Sequence, residues 1–323
     1  MPDRYDQGVI AVLAGGVGAA RFLRGVVRIA DPTDVTAIVN TADDTVMHGL
    51  QISPDIDTVI YTLAEAIDPE RGWGLADETW VAMHNLARFA GVIPPQSTAG
   101  QTWFNLGDRD LATHLYRTAR LAEGATLADV TDELRRAWGL GLRVVPMTND
   151  RVRTLVTLAG DEEISFQEYF VKYRHDVSVE SVRFDGADVA TPLALQDLEH
   201  ADAIMIAPSN PLVSIAPLRA LRGVDDALVR NRERVVAVSP IVAGSALKGP
   251  ADRLMRELGL EPSVVGVAKL YSPIASVLVI DERDASLASA VEAHGMRCIV
   301  TDTIMSTPKV TTALARTCIE AVS

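Results

Sequence analysis

The chain has 323 residues, 48% of them hydrophobic, and a formal net charge of −13 at pH 7. That length and apolar content can bury a substantial core. The negative charge opposes nonspecific binding to nucleic acid or an anionic membrane surface. An anionic substrate would therefore need local help from main-chain N–H groups, a few Arg or Lys, or a divalent cation. Cys298 and Cys318 are the two cysteines; they form neither a disulfide framework nor a metal-ligand cluster, as expected in a reducing cytosol. The N-terminal MPDRYDQG lacks an apolar signal core and no uncharged apolar run reaches membrane-spanning length, so the expected location is the cytoplasm.

The chain opens with VIAVLAGGVGAARFLR over residues 9–24. The apolar run 9–14 reads as a buried strand, Gly15, Gly16 and Gly18 as a tight turn, and the pattern after them as a helix. The first N–H groups of a helix are unpaired and carry partial positive charge, and glycine lets a phosphate approach them, so this turn suits an anion. A tight turn without a ligand is the plainer alternative. Gly16-Val17-Gly18 would begin a G-x-G-x-x-G dinucleotide fingerprint, but Arg21 stands at the last glycine position, from which it could reach a phosphate.

A second strand, 35–40, ends in Thr41-Ala42-Asp43-Asp44, so the opening unit is β-α-β with parallel strands. Residues 58–138 read as mostly helical, interrupted by a Gly/Pro/Gln/Ser-rich stretch at 91–100. Residues 143–184 read as β-rich and partly antiparallel. Strands are then predicted at 203–207, 235–238, 264–267, 277–280 and 298–300, with helices between most of them. The expected fold is α/β: a Rossmann-like, doubly wound, mainly parallel sheet carrying a helical and β-rich insertion. The whole of 1–323 is taken as a single interrupted domain, with core 1–60 and 195–323 and insertion 61–194. Ligands of such sheets sit beyond the carboxyl ends of the strands, so Gly15–Gly18, Asp43-Asp44, Ser209-Asn210, Ser239-Pro240 and Asp281 are expected on one rim.

Several residues on or near that rim carry chemistry. Asp43, Asp44, Asp55 and Asp57 fall close together, and their oxygens suit magnesium, with Asp43 and Asp57 the preferred ligands. Asp55 or Asp57 could instead cap the helix near Thr58, and Asp43 could hold a ribose hydroxyl. In GDRDLATH, Asp108 or Asp110 could cap a helix, while Arg109 between them could grip a phosphate or a planar heterocycle. His114 reads as structural, since nothing in the sequence orients it. Ser209-Asn210-Pro211 offers either a second phosphate contact or an N-cap followed by a helix-initiating proline. Lys248 stands in a loop of small residues.

In combination and in this order, AGGVGAARFLRGV, VNTADD, SPDIDTVIYTL, DPERGWG, ETW, LGDRDLATHL, SFQEYFVKYR, APSNPLVSI, VVAVSPIVAG and DERD followed by TDTIMST resemble the 2-phospho-L-lactate transferases of coenzyme F420 biosynthesis, including their phosphoenolpyruvate-using actinobacterial members. The segments span nearly the whole chain; only the 91–100 stretch looks longer than is usual in the family. The resemblance implies transfer of a phospho-acid (2-phospholactyl, phosphoenolpyruvyl or phosphoglyceryl) from its GDP-linked donor to the ribityl hydroxyl of the deazaflavin Fo. GMP leaves and F420-0 or its dehydro or glyceryl counterpart forms. It also implies Mg²⁺, a homodimer, a nucleotide-side loop at Gly15, Gly16 and Gly18, and a deazaflavin and metal region at Asp55, Asp57 and Arg109, with Asp108 and Arg21 counted among the substrate-binding residues. Ser209, Asn210 and Lys248 would lie near the guanine nucleotide, and Asp57 or Asp43 would help deprotonate the attacking hydroxyl. The rival readings are a nucleotide-sugar-binding regulatory protein of the same superfamily and a nicotinamide-dependent oxidoreductase; Arg21 weighs against the latter.

Overall fold

The computed structural model of the protein describes residues 8–94, 97, 99 and 103–322; residues 1–7 and part of the 91–100 stretch lie outside these. Seven strands form the central sheet. They are β1 (Ile10–Ala14), β2 (Val35–Val39), β3 (Arg143–Pro146), β4 (Ala203–Ile206), β5 (Val235–Val238), β6 (Val277–Asp281) and β7 (Arg297–Thr301). All are parallel, in the spatial order 7-6-5-4-1-2-3. Val12 lies opposite Ala37 on one side and Met205 on the other. The winding reverses between β1 and β4, the switch point at which a doubly wound sheet leaves a crevice.

The central strands are continuous apolar runs because both faces of the sheet are covered. Ile10, Val12, Ala14, Val35, Ala37, Val39, Met205, Val236 and Val279 point to one face. There they pack under α1 (Gly16–Ile29), α2 (Pro54–Leu63), α4 (Leu127–Ala137) and α6 (Pro308–Glu320). The helix between α2 and α4, α3 (Asp110–Ala122), stacks farther out. Ala11, Leu13, Ile38, Ile204, Ile206, Ala237, Leu278 and Ile280 point the other way, toward α5 (Val264–Tyr271) and shorter helices. The strand period of two thus assigns each residue to its layer.

One predicted strand is a helix. Residues 264–267 open α5, because Ser263 caps it: its Oγ accepts from Val265 N at 3.1 Å and Gly266 N at 3.2 Å. A four-residue apolar run fits either period, and the Pro262-Ser263 start signal decides it. Within 61–194, β3 joins the central sheet beside β2, while 153–158, 163–165 and 179–185 form a separate antiparallel sheet around Val156, Phe166 and Tyr169. A hairpin of 45–47 and 50–52 packs Met47 and Ile52 on Met83 and Leu106.

Gly18 shows why the opening turn is glycine-rich. A Cβ there would collide with the carbonyl oxygen of Pro208 in the loop after β4. It allows close helix–loop packing at a position that also borders the cavity at the switch point. Gly18→Ala is expected to push α1 away from that loop and destabilise the protein by about 2–4 kcal/mol. Thermal melts beside those of Gly91→Ala, where an added Cβ meets nothing within 4 Å, would test this; equal melting temperatures would count against it.

Candidate active site

A cavity of about 840 Å³ opens at the switch point. It is lined by Gly15, Gly16, Gly18 and Arg21 of the first turn and helix, Asp43 and Asp55, Ser209 and Asn210, Ser239 and Pro240, and Lys248. The carboxyl ends of β1, β2, β4 and β5 therefore share the rim, as their order requires. Asp281 does not line it. It is 3% exposed and accepts from Arg283 N, Thr303 N and Thr303 Oγ1 at 3.1, 3.0 and 3.1 Å, so it braces the 303–306 loop that does.

The acidic end of the cavity is built on Asn40, just after β2. Asn40 is fully buried; its Oδ1 accepts from Ala42 N, and its Nδ2 donates to Asp43 Oδ2 at 3.1 Å and to Asp55 Oδ2 at 3.0 Å. One amide thus holds two carboxylates side by side. Asp55 also accepts from Gly16 N, so the positive end of α1 faces a carboxylate from α2. Burial pushes the Asp43 carboxyl well above the usual range, and the neighbouring Asp55 charge adds to this. Burial likewise raises Asp55 to about 6, against the opposing pull of Asn40 and Gly16, and raises Asp44 to about 8 despite its bond from Ser53 Oγ at 2.7 Å. Among the described residues Asp43 Oδ1 and Asp44 Oδ1 are buried without a hydrogen-bond partner, although the Thr154 hydroxyl lies near enough to Asp43 to oppose the rise. Paired carboxylates with orphaned oxygens are a donor set suited to a hard divalent cation such as magnesium.

Asp57, expected as the partner of Asp43, has different neighbours. It lies in the first turn of α2, 5% exposed, ion-paired to the buried Arg117 of α3. His114 sits between two carboxylates, its Nδ1 3.7 Å from Asp57 Oδ2 and its Nε2 3.3 Å from Asp110 Oδ2. Ligand atoms of Asp57, Asp110 and His114 lie within 4.8 Å of one another, a group that could hold a metal ion. The guanidinium of Arg117 already engages Asp57, however, and none of these residues lines the cavity. In an α-helix, residues two apart point to different sides, so Asp55 faces the cavity while Asp57 faces α3. Neither caps α2: its N-cap is Ser53 and no side chain caps it.

Asp108 and Arg109 also lie off the cavity wall. Asp108 caps the 81–86 helix, accepting from Val81 N at 2.8 Å and Ala82 N at 3.0 Å, while Glu78 accepts from Arg109 N at 2.7 Å and Asp110 N at 2.9 Å at the start of α3. The ETW and GDRD motifs thus clasp each other through reciprocal helix caps. The exposed Arg109 side chain donates to Ala76 O.

Ser209 Oγ donates to Gly15 O at 2.7 Å, tying the β4 loop to the glycine turn. Asn210 caps the following helix through Leu212 N at 2.9 Å, and its buried Nδ2 has no protein partner. Trp73, Trp103, Phe104, Phe166 and Phe170 add an aromatic wall, with Phe166 and Phe170 stacked at 5.7 Å. Asn40 and these aromatics were not singled out from the sequence. Asn40's position at the carboxyl end of a strand was a usable signal; the aromatics come from separate insertions and carried none.

Fold and cavity together define a Rossmann-like protein with a crevice at its switch point that gathers two carboxylates, three basic side chains of the described residues and an aromatic wall. Residues 10–317 match the family described as 2-phospho-L-lactate transferase CofD, and the chain belongs to that family of phospho-acid transferases of coenzyme F420 biosynthesis. It is 41% identical over 317 residues to a phosphoenolpyruvate transferase of Streptomyces griseus, covering 96% of this chain and 97% of that protein. It is 39% identical to that of Mycolicibacterium smegmatis, covering 95% and 96%. A crystal structure of a upf0052-family member from Bacillus halodurans matches with a TM-score of 0.61 at 16% identity, covering 98% of this chain and 99% of that one; this likeness establishes the fold alone. Among the described residues, no helix is long and apolar enough to cross a membrane.

Proposed function

We propose that this protein transfers the phosphoenolpyruvyl group from enolpyruvyl-diphosphoguanosine to the terminal ribityl hydroxyl of Fo, releasing GMP and giving dehydro-F420-0. The observation that carries the reading is the cavity itself, which combines two juxtaposed carboxylates, two cations without a partner among the described residues and an aromatic wall at the switch point. The choice of acid rests on the relatives named phosphoenolpyruvate transferase.

In the reaction, the hydroxyl oxygen attacks the acid-linked phosphorus. The bond from that phosphorus to the bridging oxygen breaks, and GMP departs with the oxygen. Such a transfer needs alignment and charge neutralisation more than covalent chemistry. Asp43 and Asp55 would hold a magnesium ion, which when bound neutralises charge on the pyrophosphate. The free Nδ2 of Asn210 offers the nucleotide a hydrogen-bond donor. The aromatic wall accepts the planar deazaflavin. The hydroxyl proton leaves late to a cavity carboxylate, and Asp43 Oδ1 is one without a hydrogen-bond partner among the described residues. Asp57, paired to Arg117, supports α2 from behind. A homodimer in the cytoplasm completes the reading, by resemblance.

Purified protein incubated with Fo, magnesium and each of the enolpyruvyl, lactyl and glyceryl donors would test this by product mass. The enolpyruvyl product should accumulate fastest, with one GMP per turnover. Donor binding without deazaflavin binding, read by fluorescence titration, would favour a regulatory protein instead.

A further inference from the structure

Three basic side chains line the cavity: Arg21, Arg71 and Lys248. Arg71 is already committed, to Asp68 at 2.9 Å, to Leu75 O at 2.9 Å, and to the faces of Trp73 and Trp80 at 5.5 and 5.3 Å. Arg21 and Lys248 make no ion pair or hydrogen bond among the described residues. Partial burial of its side chain, and after it the Arg21 charge, lowers the proton affinity of the Lys248 amine, although the residue as a whole is exposed. Holding two cations together costs energy, and on a chain of net charge −13 carboxylate partners are plentiful. Their absence here leaves the pair for an anion supplied from outside.

The positions are built rather than incidental. Lys248 Nζ lies over Gly72, 2.8 Å from where a Cβ at that residue would be, and Gly72 has φ of +74°. Its turn is fixed by Asp68, whose Oδ1 accepts from Glu70 N and Arg71 N at 2.9 and 2.8 Å. The same Gly72 Cβ position is 3.8 Å from Val17 Cγ1 in the first turn of α1. Three segments distant in sequence thus bring these two cations to one end of the cavity. The Cα of Arg21 is five residues past Gly16, or roughly 7–8 Å along the helix axis, while Lys248 Nζ comes in near Val17, one residue after the Gly16 N–H that Asp55 accepts from, so the two cations border the phosphate end of the cavity.

We propose that Arg21 and Lys248 bind the carboxylate of the acid carried by the GDP-linked donor. This rests on the transferase reading of the cavity. The donor's phosphates are served at the Asp43–Asp55 end, and the anion left over is the carboxylate next to the reacting phosphorus. A guanidinium fork and an ammonium suit a planar carboxylate. The same contact persists on the product, which keeps that group, and is absent from GMP and GDP. The pair therefore discriminates donor from spent nucleotide.

The test compares equilibrium binding of GDP and of the enolpyruvyl donor, with magnesium and without Fo, for wild type, Arg21→Met and Lys248→Met. Each substitution should weaken donor binding about 10- to 100-fold while leaving GDP binding within about twofold. A donor analogue with a carboxamide in place of the carboxylate, offered to the wild type, should bind as weakly as the true donor binds the variants; this arm does not depend on variant folding. Equal losses for GDP and donor, or an amide bound as well as the acid, would overturn the assignment and give the pair to the pyrophosphate. Failure of the wild type to turn over any donor would instead remove the transferase reading.

Discussion

Asp43→Asn is expected to lower kcat by about 10²–10³-fold while leaving the protein folded and more heat-resistant at neutral pH. Asp43 and Asp55 share the Asn40 amide at the cavity wall, and burial raises the proton affinity of both, as it does for Asp44. Their unfolded values lie near 3.8, so the metal-free folded state binds protons more tightly than the unfolded one. The stability these groups contribute is fully present below about pH 4 and is lost as pH rises through the folded values, about 6 for Asp55 and about 8 for Asp44. Metal-free protein should therefore melt at falling temperature from about pH 5 to about pH 8, and magnesium should restore more stability at the upper end. Asp43→Asn should shallow that slope and reduce the magnesium response. Melting curves with and without magnesium, beside the magnesium dependence of kcat, measure both. Unchanged magnesium dependence in the variant would remove Asp43 from the site.

Arg117→Met should destabilise the protein by about 3–5 kcal/mol, a fall in melting temperature of roughly 4–7 °C. Arg117 is 1% exposed, pairs with Asp57, donates to Gln51 O at 3.3 Å and lies 3.2 Å from His114 Nδ1. It joins the 45–52 hairpin, α2 and α3. Without it Asp57 would be a buried charge lacking its cation, beside Asp110, whose own oxygen accepts from Tyr61 Oη at 2.6 Å. Removing both partners, as Arg117→Met with Asp57→Leu, should recover much of the loss, because an apolar pair leaves no buried charge unpaired. A double variant as unstable as the sum of the single ones would show that the two do not act as a pair. Loss of kcat in Asp57→Asn at unchanged stability would return Asp57 to a direct catalytic role.

Residues 264–267 and the reciprocal caps of Glu78 and Asp108 mark how far local reading reaches. A short apolar run carries no period of its own, and the Ser263 cap that settles it lies one residue outside the run. The density of charge in GDRD suggested ligand binding, but Asp108 serves a helix start 27 and 26 residues earlier, at Val81 and Ala82. Capping and ligand binding draw on the same side chains, and only the partner distinguishes them.

From the sequence alone came the layered parallel sheet, the glycine turn after its first strand and the rim on which Asp43, Ser209 and Asn210 meet. Strand periodicity, turn chemistry and the right-handed crossover are local properties, and together they confine the chain to this architecture. Which carboxylates face one another was decided by the tertiary structure. Asp55 and Asp57 are two residues apart on a helix, and its 100° turn per residue sends one to the cavity beside Asp43 and the other to Arg117. The approach of Lys248 to Gly72 and Val17, on the cavity wall that Arg21 also lines, is likewise a product of three distant segments converging, a proximity that no spacing within the chain encodes.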